Sequence, residues 1–179
     1  MAANAFTIWT IGHSTRSIDE FIGLLTANGI EALADIRRLM GSRKFPQFDQ
    51  DALRDSLNAA EIEYFPIPEL GGRRNAKADS RNIRWRNLSF RGYADHMETQ
   101  EFERGIASLL DLAHHKRTAI MCAEAVWWRC HRALVSDYLK AKSVRIVHIL
   151  SRAATKEHPF TSAAIVRGDS VTYSENWSY

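Results

Sequence analysis

The chain predicts an α/β fold: a mostly parallel central sheet flanked by helices, with a C-terminal β-hairpin. Three observations predict it. Short apolar runs bounded by turn residues recur along the chain, the pattern of strands buried on both faces. Helix-patterned segments separate the first three runs, giving the order β-α-β-α-β that right-handed crossovers in a parallel sheet require. Polar and charged residues follow directly after each run, where open α/β sheets place their ligands.

Residues 6–11, Phe-Thr-Ile-Trp-Thr-Ile, read as the first strand, followed by Gly12, His13, Ser14 and Thr15. Ser17 and Glu20 form a capping box ahead of a helix faced by Phe21, Leu24 and Leu25, and Asn28-Gly29 ends it. Residues 32–36 are a second strand whose end carries Asp35, Arg37 and Arg38. After a loop at 40–46 that includes Arg43, Asp49 or Asp51 caps a second helix containing Leu53 and Leu57. Residues 62–66 form a third strand leading to Glu69-Leu70-Gly71-Gly72.

Residues 73–91 break the alternation. Seven Arg or Lys residues and Trp85 and Phe90 face a single Asp79, so a long irregular basic insertion is expected there. Helical structure begins at 93–97, and Phe102, Ile106, Leu109, Leu110 and Ala113 mark the apolar face of the next helix. Residues 118–122 are a fourth strand and residues 145–150 a fifth. The tail at 164–173 reads as a hairpin turning at Gly168-Asp169.

A chain of 179 residues with 45% hydrophobic and 25% charged residues fits one soluble globular domain spanning 1–179. No apolar run approaches the ~20 residues of a membrane span, and no basic-then-apolar leader opens the chain, so a cytoplasmic protein is expected. Two cysteines make no disulfide framework. The net charge of +3 suits an anionic ligand without requiring one.

The chemistry concentrates at the end of the fourth strand. Cys122 and Glu124 close the apolar run, and Cys130-His131-Arg132 opens a helix that continues through Leu134, Val135, Tyr138 and Leu139. A helix N-terminus with arginines beside it can lower a thiol's pKa and make it nucleophilic. A lone cysteine usually just packs. Five such residues within eleven positions make a site the stronger reading. With a parallel sheet, His13 and Ser14, then Asp35, Arg37 and Arg38, then Gly71 and Gly72, converge on the same end.

Gly12-His13-Ser14, Asp35-Ile36-Arg37, Leu70-Gly71-Gly72, Cys122-Ala123-Glu124 and Cys130-His131-Arg132 together resemble the family catalogued as domain of unknown function 488. The resemblance implies an α/β fold and a shared polar pocket at these positions, with no reaction attached. Trp127 and Trp128 would add a stacking surface beside it.

Four readings follow. The first is an enzyme, a hydrolase or transferase, acting on a nucleotide or nucleic acid. In it Arg37, Arg38, Arg43 and Arg132 hold phosphate, with His13, Ser14, Gly71, Gly72 and Cys130 lining the site. Trp127, Trp128 or Trp85 stacks on a base. Glu124 or Asp35 serves as base or nucleophile, or Cys122 attacks with His131 lowering its pKa. The gap from Cys122 to the following arginines is longer than the loop of thiol phosphatases, which disfavours that class. The second is a metal site using Cys122, Cys130 and His131 with His13, although the cysteine spacing is not a familiar zinc pattern. The third is a non-catalytic nucleic-acid module built on 73–91; the same loop would otherwise be a solvated lid. The fourth is scaffolding, with Arg132 paired to Glu124 or Asp35 and the thiols packed. No cofactor is specified by any motif.

Overall fold

The computed structural model of the chain describes residues 6–175. Strand β1 is Thr7–Gly12, helix α1 Ile18–Ala27, β2 Ala32–Asp35, α2 Gln50–Ala59 and β3 Glu63–Pro66. Two helices follow the basic loop, α3 Leu88–His96 and α4 Gln100–His115. Then come β4 Thr118–Cys122, α5 Arg132–Ala141, β5 Arg145–Ile149, β6 Thr155–Glu157 and the hairpin β7 Ile165–Arg167 with β8 Ser170–Thr172. The central sheet runs β3-β2-β4-β1-β5-β6, parallel except for β6. The α/β architecture and the C-terminal hairpin are as the sequence predicts.

The strands at the centre are apolar because both faces are covered. Every residue of β2 and β4 is buried. Side chains alternate between faces along a strand. Ala119 and Met121 point to one side, with Leu33, where α1 and α2 bring Phe21, Leu24, Leu53 and Leu57. Ile120 points to the other, with Ala32, Ala34 and Ile146, where α4 and α5 bring Phe102, Leu109, Leu134 and Leu139. Burying one such Leu or Ile contributes roughly 1.5–3 kcal/mol.

Local signals set the element ends. Ser17 Oγ accepts from the Glu20 amide at 3.1 Å, half of the expected capping box, while the Glu20 carboxylate turns to Arg16 at 3.5 Å. Gly29 takes the left-handed conformation after α1 (φ 66°), as a helix-terminating glycine does. Asp49 stands at the start of α2, but its carboxylate accepts from the Ser42 amide at 3.2 Å and ties down the loop instead of capping.

Two boundaries differ from the sequence reading. The basic stretch turns helical at Leu88, because Asn87 Oδ1 accepts from the Ser89 and Phe90 amides and caps α3. The polar edge strand β6 adds antiparallel to β5 with no apolar run to announce it. Among the described residues no helix is long and apolar enough to cross a membrane.

Candidate functional site

The exits of β2 and β4, the N-terminus of α5 and the start of α3 enclose a cleft of about 340 Å³. Its buried floor holds Cys122, Cys130 and Tyr93. Its exposed rim holds Arg38, Arg73, Arg129, Glu124 and Ser89, with Leu39 and Phe90 along the side. Of the sequence candidates, Cys122, Glu124, Cys130, His131, Arg37, Arg38 and Gly72 line it. Arg73, Ser89, Phe90, Tyr93 and Arg129 line it without having been singled out as site residues; the adjacency of Arg129 to Cys130, and of Arg73 to Gly72, was the available signal.

The two thiols face each other, with Sγ atoms 2.9 Å apart and both free. Arg132 is 1% exposed and lies against both. Its Nε donates to Cys122 Sγ at 3.0 Å and to Cys130 Sγ at 3.3 Å. Nη2 donates to the Glu124 and Ala125 carbonyls at 2.7 and 3.4 Å, and Nη1 donates to Thr10 Oγ1 at 3.2 Å. Burial raises the pKa of both thiols, but they separate. Cys122 is pushed well up by burial and by its neighbour. At Cys130 the hydrogen bond from Cys122 and the Arg132 charge outweigh burial and bring it down to about 5. Cys130 is therefore the more readily ionised of the two thiols.

Arg132 is anchored from behind by a buried chain that crosses the sheet. Thr10 Oγ1 meets His148 Nδ1 at 2.6 Å, His148 Nε2 meets His158 Nδ1 at 2.9 Å, and His158 Nε2 meets Asp137 Oδ1 at 2.9 Å. Asp137 also accepts from Thr161 and from the Tyr173 hydroxyl. A guanidinium only donates and a carboxylate only accepts. Both ends are therefore fixed: Arg132 donates to Thr10, and His158 donates to Asp137. Burial holds the His148 pKa down, at about 2, and His158 and Arg132 add to the effect. Trp127 stacks flat on His148, 4.5 Å between ring centres.

Asp35 and Arg37 are brought to the site but closed on one another. Arg37 donates to Asp35 from its amide, Nε and Nη2, the last at 2.7 Å, and its Nη1 donates to the Phe48 carbonyl at 2.8 Å. Tyr64 donates its hydroxyl to Asp35 Oδ2 at 2.7 Å. With every acceptor position filled and no exposure, Asp35 is no general base. Arg37 and Arg132 are buried and hydrogen-bonded within the protein, Arg37 to Asp35 and the Phe48 carbonyl and Arg132 to the sulfurs, Thr10 and two carbonyls, which argues against their reading as phosphate ligands. Arg132 pairs with neither the Glu124 carboxylate nor Asp35; it takes the Glu124 carbonyl.

His13, Ser14, Arg43, Gly71, Trp127 and Trp128 do not line the cleft. His13 stacks on Phe48 at 4.2 Å, its Nδ1 meets the Ser14 carbonyl, and burial lowers its pKa to about 4. His13 and Ser14 lock β1 to the end of β4 through their amides, which donate to the Cys122 and Ala123 carbonyls at 3.0 Å. Gly71 packs against the Arg38 backbone, where a Cβ would sit 2.6 Å away. Arg43 is exposed on the loop before α2. Trp127 is buried on His148, and Trp128 is 52% exposed outside the cleft. Of the stacking surface expected beside the site, Trp127 is therefore turned inward and Trp128 faces solvent away from the cleft. Gly12 was read only as part of its motif and not as a site residue, yet it sets the site's geometry: a Cβ there would lie 1.6 Å from the Glu124 carbonyl oxygen.

The family described as Domain of unknown function DUF488 matches residues 17–139, more than half of the chain. The chain belongs to the DUF488 family. No curated protein and no solved structure matches it. The matched DUF488 segment contains the Asp35–Arg37 pair, both thiols and Arg132; it begins after Ser14 and ends before His148 and His158.

A metal centre fits this DUF488 site poorly. The Arg132 guanidinium lies against both sulfurs and its charge repels a metal cation there, and His131 Nε2 is turned to the Ile36 carbonyl at 2.9 Å. Among the described residues no three His, Cys, Asp or Glu side chains group as metal ligands. The basic loop is tied to the body by Arg84 to the Ala163 and Ser162 carbonyls, Arg74 to Glu101, and Asn82 to Asp95 and Glu98. Trp85 packs edge-on to Phe90 and beside Tyr173. The DUF488 loop thus walls the cleft with Arg73, which holds a left-handed backbone (φ 58°) with its carbonyl accepting from Arg38 at 3.0 Å.

Proposed function

We propose that this DUF488 protein is a hydrolase or transferase for an anionic, nucleotide-class substrate, working through a covalent intermediate on Cys130. One observation carries the reading: the Cys130 thiol, in contact with Cys122 and with the buried Arg132 guanidinium, opens into a cleft rimmed by three exposed arginines. A cleft of this size suits a mononucleotide-sized ligand.

Arg38, Arg73 and Arg129 bind the phosphate by charge-assisted hydrogen bonds, and Phe90 packs beside the rest of the ligand. The Cys130 thiolate attacks the electrophilic centre; the sulfur–substrate bond forms as the bond to the leaving group breaks. The leaving atom takes its proton from water at the open rim. Water, or an acceptor in its place, then attacks the thio-intermediate. The Glu124 carboxylate at the rim takes the attacking group's proton, the sulfur–substrate bond breaks, and the thiolate returns. His131 donates from Nε2 to the Ile36 carbonyl, and burial lowers its pKa, which favours the neutral ring.

Calorimetric titration with inorganic phosphate and nucleoside monophosphates tests the reading. Binding that weakens at least tenfold in Arg38→Ala or Arg129→Ala is expected, with a covalent adduct trapped on Cys130. Affinity indifferent to both rim arginines would overturn it.

A further inference from the structure

We propose that Cys122 and Cys130 are a hydroperoxide-reactive dithiol that closes into a disulfide, so that the cleft is a reversible oxidation site. The inference rests on the functional reading above only in taking Cys130 as the thiolate.

Three observations carry it. The sulfurs are 2.9 Å apart, so less than an ångström separates them from the ~2.05 Å of a disulfide bond. One sits at the end of β4 and the other just before α5, and both open on the same cleft, so an oxidant reaches them from solvent. Arg132 touches both sulfurs from the buried side, so it stabilises a sulfur anion on either and leaves the cleft side open.

The two thiols divide the chemistry. The Cys130 thiolate attacks the terminal oxygen of a hydroperoxide; the oxygen–oxygen bond breaks, an alcohol or water leaves after taking up a proton, and Cys130 becomes a sulfenic acid. Cys122 then attacks the Cys130 sulfur through its own sulfur. The sulfur–sulfur bond forms, the sulfenic hydroxyl leaves with the Cys122 proton as water, and two electrons in all have passed from the dithiol to the peroxide. An external thiol restores the pair by exchange. Cys122 suits the second step because it is held protonated and in contact, and so waits until its neighbour is oxidised.

The state of the sulfurs also reaches the rest of the cleft. Arg132 Nη2 holds the carbonyls of Glu124 and Ala125, the segment that carries the rim carboxylate. Conversion of the thiolate to a neutral disulfide removes the anion that Arg132 faces, at the base of the same loop.

The test treats the full chain with hydrogen peroxide and with an organic hydroperoxide, then counts thiols under denaturing conditions and weighs the intact protein. Loss of both titratable thiols, a mass lower by two hydrogens, a monomeric product and recovery in dithiothreitol are expected. In Cys122→Ser, a sulfenic acid on Cys130 that dimedone traps is expected; in Cys130→Ser, at least a tenfold slower reaction. Two thiols surviving in the wild-type protein, or a product running on to sulfinic acid without disulfide, would overturn the proposal. Because the wild-type chain decides it, misfolding of either variant does not. Oxidation without any effect of rim arginines on anion binding would remove the functional reading and leave this one standing. Resistant thiols together with arginine-dependent binding would do the reverse.

Discussion

Arg132 Nε stands 3.0 Å from Cys122 Sγ while its Nη1 donates to Thr10, so one buried guanidinium joins the thiol pair to a hydrogen-bonded chain ending at Asp137. Removing one partner of a buried charged pair leaves the other uncompensated, at a cost of ~3–5 kcal/mol. Arg132→Met is therefore expected to lower unfolding stability by that order and to return thiol alkylation to the ordinary pH range. Urea unfolding and an alkylation–pH profile read the two effects separately.

Thr10 and His148 have a positioning role that touches no substrate. Thr10→Val cuts the chain from Arg132 to His148 while keeping the side-chain volume. The thiolate absorbance of the variant is expected to titrate at least one pH unit higher than wild type. Thr10→Ser, which keeps the hydroxyl, should restore the wild-type midpoint. An unchanged midpoint in Thr10→Val would reduce the buried chain to packing.

Gly12 and Gly72 separate backbone clash from side-chain clash. The Cβ of Gly12→Ala meets the Glu124 carbonyl, which cannot swing away without releasing Arg132. The Cβ of Gly72→Ala meets the His131 ring at 2.7 Å, and a side chain can turn. The first change is expected to cost ~3 kcal/mol or more, the upper end of overpacking, and the second nearer ~1 kcal/mol. Thermal unfolding of the two variants compares them directly.

Stability should peak near the ordinary thiol pKa, at about 8.5. Folding lowers the pKa of His13 to about 4 and of Cys130 to about 5, so the unfolded chain binds more protons on acidification. The Cys130 contribution is present above the thiol's unfolded pKa and is lost as the pH falls through its folded one. The His13 loss sets in below 6.5 and is complete below about 4. Cys122 has the opposite sign: its folded pKa is raised, so its contribution falls away as the pH rises past the unfolded value. Melting temperatures from pH 4 to 10 should trace this dome, and a flat curve would contradict it.

The sheet was legible because burial on both faces leaves a plain mark: Ala-Ile-Met-Cys and Ala-Leu-Ala are apolar without interruption. The edge strand β6 was not, because Thr155, Lys156 and Glu157 are all exposed and carry no periodic signal. At the site, the clustering of Cys122, Glu124, Cys130 and His131 could be read from spacing on one strand and one helix. Side-chain partners could not. Whether Arg132 meets a phosphate or two sulfurs depends on the direction of a buried side chain, and Asp35 looks the same in sequence whether free or closed by Arg37 and Tyr64. The buried chain of Thr10, Asp137, His148 and His158 draws on β1, α5, β5 and the segment after β6, so no local pattern contains it.

The pH dependence of iodoacetamide alkylation, with the labelled cysteine located by mass spectrometry and the reaction repeated in saturating inorganic phosphate, is the most direct test of the thiolate in the cleft. Labelling of Cys130 with a midpoint near 5, slowed by phosphate, is the predicted result. A midpoint at or above the ~8.5 of an ordinary thiol, or first labelling at Cys122, would contradict it.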